Sequence, residues 1–248
     1  MMAQFPAFTD LTAVAEELAS RGKVGLRSML TQAWRAQSCL GDLRQSNDCV
    51  EVLREMVGRK DDSPTLLTVE RSLLANAVML YARATLTNGP KGERGPVQLS
   101  EKKLTADEWK DHQAILDVRN QAMAHVYRAR KLREHEWHRS VFFAVDAGGG
   151  RWKPACASNQ TTFHADTFAK LERMLPIALR ELKIKFYERM EAVTKAVNSD
   201  VKASTLVKSV FDPVQAFGSR AAVQALLDGE ALGDAAFWVK ENRQNQAD

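Results

Sequence analysis

The chain has 248 residues, 45% of them hydrophobic and 27% charged, which is enough to bury a sizeable core. Thirteen glycines and seven prolines are few for this length and they cluster, which argues against the regular turn spacing of a β-sandwich or barrel. A net charge of +4 permits a nucleic-acid partner without requiring one. Three cysteines in no CxxC pair give no support to a disulfide framework or a cysteine-rich zinc site, and no segment matches a membrane span or a signal peptide, so a cytoplasmic protein with no membrane partner is expected.

In chain order the pattern is a series of amphipathic helices, with no internal repeat. Asp10 is placed to cap a short helix that ends near Ser20, before Gly22. Lys23 to about Val57 carries Leu26, Met29, Leu30, Ala33, Leu40 and Leu43 at helical spacing, with the polar Gln45–Asp48 stretch as a candidate break. Ser63 followed by Pro64 is a start signal, and Leu66, Val69, Leu73, Ala77 and Leu80 then form one apolar stripe. Asn88-Gly89-Pro90 ends that helix, and Lys91 to Lys103 reads as a surface loop.

Thr105 and Glu108 have the spacing of a capping box, and the helix they open is expected to run through Arg133 or beyond. Val141 to Val145, the triple glycine at 148–150, and Trp152 to Ser158 read as a β-hairpin. Asp166 opens a long helix buried along Leu171, Leu175, Ala178, Leu182, Phe186, Met190 and Val193, which Pro176 should kink or begin. The pattern weakens after Asn198. The expected fold is all-α: a helical bundle over residues 1–198 with a hairpin near 141–158, and a short helical C-terminal appendage over 199–248.

The segment with most chemical content is Asp117 to His125. Arg119 has Ile115, Leu116, Ala122 and Met123 at i±3 and i±4, and a guanidinium among apolar neighbours is costly unless an anion meets it. On a straight helix Arg119 and His125 are separated by about 9 Å of rise and roughly 120°, so one copy makes an awkward site, and two copies about a two-fold axis would make a better one.

Arg119-Asn120, a spacer ending in Ala124, and His125 resemble the R-x(4–6)-H motif of HEPN-domain proteins, in which Asn, Asp or His commonly follows the arginine. The helix order around the motif is also similar, over about residues 20 to 198. The resemblance implies a helical bundle that dimerises with the motif lining the shared cleft. It implies a metal-independent endoribonuclease that needs no cofactor, acts as a toxin or antiphage-defence effector on RNA, and is held in check by an antitoxin or defence partner.

In that reading His125 moves a proton, Arg119 stabilises charge on the phosphorane oxygens, and Asn120 orients Arg119 or holds the substrate. Arg128, Arg130, Lys131 and Arg133 would track the RNA backbone, and Tyr127 or Trp137 would stack a base, although solvated helix-end cations and packing aromatics are the plainer readings. The alternative from a different class is a non-catalytic HEPN-like module that binds RNA, a nucleotide or a protein.

Weaker patterns remain. His135 and His138, with His164 or Cys156, suggest a metal hydrolase, but Arg139 stands where a zincin needs its second histidine, so no metal is expected. Ser100 with Lys103 matches S-x-x-K without partner motifs, and the triple glycine has no following Gly-Lys-Ser/Thr. Arg71, Asn76 and Arg83 share the helix before the loop, and one of them is expected to line the motif cleft.

Overall fold

Seven helices and three strands are assigned among the residues described by the computed structural model, which are 8–57, 59, 63–86, 99–123, 129–132, 135–206, 208–217 and 224. The helices are α1 (Leu11–Ser20), α2 (Gly25–Met56), α3 (Pro64–Thr85), α4 (Ala106–Val118), α5 (Ala165–Asp200), α6 (Ala203–Leu206) and α7 (Pro213–Phe217). The strands are β1 (Ala129–Leu132), β2 (His135–Asp146) and β3 (Trp152–Gln160), paired antiparallel in that order. The fold is therefore mostly helical with a small sheet. No helix among the described residues is long and apolar enough to cross a membrane.

The chain gathers into two compact units, residues 38–184 and residues 1–37 with 185–248, and α2 and α5 supply residues to both. In the second of these, Asp10 caps α1 by accepting from the Thr12 and Ala13 amides at 2.8 and 3.1 Å. Val14, Ala15, Leu26, Ala33, Val193, Ala196 and Val201 form its core. The N-terminal residues are tied to the segment after α6 by backbone bonds from Asp10 N to Ser209 O (2.8 Å) and from Phe211 N to Phe8 O (3.0 Å).

The unit of residues 38–184 is built on Leu40, Leu43, Leu53, Leu74, Tyr81, Ile115, Leu171, Leu175 and Leu182, all buried. Helix α2 does not break at Gln45–Asp48. Ser46 is buried there and donates from Oγ to Ala77 O of α3 at 2.8 Å, which satisfies a polar group inside the core. Of the expected stripe of α3, Ala77 and Leu80 are buried and Val69 is exposed, and Leu74, Val78 and Tyr81 are buried beside them. Ser63 and the Thr105–Glu108 box cap α3 and α4 as their residues suggest.

The expected length of the helix that carries the motif is corrected. Helix α4 does not continue to Arg133: it ends at Val118, widens into one π-helical turn at Arg119–Met123, and the chain next forms β1, which pairs with β2. The wider turn takes Arg119 and Asn120 off the regular helical face, so the straight-helix geometry of the motif does not apply. Of the two readings of Pro176, a helix start is excluded, since α5 runs from Ala165 to Asp200 with Pro176 exposed in its interior.

The hairpin forms and is longer than expected, with Phe142 opposite Cys156 and Asp146 opposite Trp152. Gly148, Gly149 and Gly150 turn its tip at φ of +83°, +62° and +74°, a region that favours glycine. Between β1 and β2 the register slips at Arg130/Lys131, leaving Trp137 as the extra residue of a bulge.

Candidate functional site

The π turn holds the two described members of the motif against α3. Arg119 is half-buried, and its Nη1 donates to Asn120 Oδ1 at 2.9 Å. Its Nε is buried with no hydrogen-bond partner. Arg119 lines a cleft of about 130 Å³ together with Asn76, Met79, Leu80 and Arg83 of α3. Asn76 and Arg83 are thus the residues of the preceding helix that share the motif's cleft, whereas Arg71 lies elsewhere.

The two guanidiniums differ. Arg83 forks onto the buried carboxylate of Asp42, Nε to Oδ2 at 2.7 Å and Nη2 to Oδ1 at 2.6 Å, and this bonding raises its pKa further. Arg119 makes no ion pair among the described residues. A positive charge facing a cleft, held by a neutral amide and still short of one acceptor, is chemically a receptor for an anion. Asn76 donates to Cys49 Sγ at 3.4 Å, and burial raises the Cys49 pKa, which keeps it a thiol and a poor nucleophile.

His125, Tyr127, Arg128 and Arg133 lie outside the described residues, as does the side chain of Arg130. Arg130 and Lys131 belong to strand β1 and not to a helix end, and Lys131 is exposed. Trp137 is buried in the bulge and packs edge-on against His135.

The histidines pair differently from the metal pattern. His135 and His164 stack with ring centroids 4.2 Å apart, while His138 Nε2 lies 2.9 Å from Ser140 Oγ. No group of three or more metal-ligating side chains occurs among the described residues. Lys103 is engaged by Glu181 at 2.9 Å, which removes the lysine from the S-x-x-K pattern.

On the other side of the π turn, Ala122 and Met123 line a second pocket with residues of α3 and the sheet. No sequence motif marked it, because it depends on a bulge and a strand end meeting a helix. No protein-family model matches this chain, and no curated protein or solved structure shows significant similarity to it.

Proposed function

We propose that this chain is a metal-independent endoribonuclease of the HEPN type, acting as a toxin or antiphage-defence effector through a site composed at a homodimer interface. The observation that supports this reading most is Arg119: half-buried, without an ion pair among the described residues, and positioned by the Asn120 side chain at 2.9 Å. The bond between them favours Asn120 as the group that orients the guanidinium. In the reaction the RNA 2′-hydroxyl attacks the adjacent phosphorus and the bond to the 5′-oxygen breaks, leaving a cyclic phosphate and a free 5′-hydroxyl. Arg119 stabilises the equatorial oxygens of the phosphorane, and His125 carries a proton to or from the reacting oxygens.

The test is cleavage of several RNA classes by the purified full chain in excess EDTA, beside Arg119→Ala and His125→Ala. Wild type is expected to cut, and each variant to lose about 10²-fold or more. A folded wild type that cuts none of the RNAs would leave the non-catalytic module as the better reading.

A further inference from the structure

The pocket beyond the π turn has the composition of a ligand site. Its volume is about 180 Å³, and it has apolar walls from Leu74, Met123 and Trp137 and polar ones from His138, Gln160 and Thr162. It adjoins a more open cleft of about 380 Å³ that shares Arg71, Ala75 and Thr162 and adds Thr68 and Ser72. Arg71 makes no ion pair among the described residues, and its guanidinium shares the open cleft with the Thr162 hydroxyl, while the Thr68 and Ser72 hydroxyls donate to Pro64 O and Thr68 O, each at 2.7 Å. The guanidinium and the Thr162 hydroxyl together match a phosphate, which accepts both a guanidinium fork and a hydroxyl donor.

The inner pocket suits a flat ring with a polar edge. Trp137 and Met123 offer polarisable faces, and the Gln160 amide both donates and accepts. His138 supplies an independent sign. Its Nδ1 is buried without a partner, and the only other such side-chain atom among the described residues is Arg119 Nε. The two orphans belong to residues that line the pockets on either side of one π turn. A buried polar atom left unpaired is a standing penalty that calls for an explanation, and a ring edge in the pocket provides one.

We propose that these adjoining clefts form a nucleotide-binding site distinct from the Arg119 cleft, with the base in the inner pocket and the phosphate at Arg71 and Thr162. The site stands independently of the ribonuclease reading, because occupancy is measured without any cleavage.

The test is isothermal titration of the full chain with each of the four ribonucleoside 5′-monophosphates, with adenosine, and with inorganic phosphate. At least one monophosphate is expected to bind with sub-millimolar affinity, at least about tenfold tighter than nucleoside or phosphate alone. Arg71→Ala should weaken it about tenfold, and Ala75→Phe, which fills the shared wall, should abolish it. Arg71 is exposed, so its variant reports on binding even where the phenylalanine variant does not fold.

No binding of any monophosphate up to about 5 mM overturns the proposal. So does phosphate binding as tightly as the nucleotides, or unchanged affinity in Arg71→Ala. Binding that vanishes in Arg119→Ala but survives in Arg71→Ala places the ligand in the motif cleft, and also overturns it.

Discussion

Arg119 is a residue whose local energetics run against folding. Its Nε is buried without a partner, and its charge meets no carboxylate among the described residues. An apolar chain of similar length removes both costs, so Arg119→Met is expected to raise stability by about 1 kcal/mol in urea unfolding while RNA cleavage is lost. A variant that is less stable than wild type would mean that the guanidinium is structural. A second residue-scale expectation concerns His112, which is buried against Tyr81 with Oη and Nδ1 2.9 Å apart. Burial lowers its pKa from 6.5 to about 4. The unfolded chain therefore binds the proton more readily, so the contribution of His112 is complete above pH 6.5, falls as the pH drops, and is fully lost near pH 4. That loss amounts to about 3 kcal/mol. His164, lowered by burial and by neighbouring His135, acts in the same direction. Stability measured by urea unfolding from pH 7 to pH 4 should fall, and His112→Asn, which keeps an acceptor at the δ position, should flatten the slope.

Elements were legible where their ends are chemical and obscure where they are decided by distant partners. Ser63-Pro64 and the Thr105–Glu108 box mark helix starts through their own side chains, and both caps form. Nothing between Asp117 and Met123 breaks a helix, since no glycine or proline occurs there. Beyond the π turn Ala129–Leu132 pairs with β2, a contact that no local pattern encodes. The same limit explains the site. Arg119 and Asn120 are adjacent in sequence and could be read together, whereas His138, Trp137 and Gln160 join α3 only through the bulge and the strand end. Polar Gln45–Asp48 read as a break because the Ser46 partner lies on another helix. Pro176 gives a direct test at this scale. Exposed and interior to α5, it lacks the amide that the helix would use, so Pro176→Ala is expected to raise stability by about 1–3 kcal/mol in urea unfolding. An unchanged or lowered value would mean that the ring fits a bend that the helix needs.

For the whole molecule the issue is how many copies complete a site. In the proposed function the motif acts across a homodimer, so each cleft draws on both chains. That arrangement predicts a behaviour that no single-chain site shows. Arg119→Ala and His125→Ala are each expected to be inactive as homodimers. When the two are unfolded together and refolded at equal concentrations, about half of the dimers are mixed by random assortment. A mixed dimer retains one arginine and one histidine. Where the catalytic pair is drawn from different copies, one cleft of the mixed dimer is complete, and activity should reappear above either parent. Where arginine and histidine act from the same chain, each copy lacks one group and mixing restores nothing. The readout is RNA cleavage in EDTA, with sedimentation confirming that mixed and parent samples have the same mass. Restored cleavage would tie the half-buried Arg119 to a histidine from another copy. A dimer that stays inactive on mixing would remove the composite site while leaving a role for each residue within one chain.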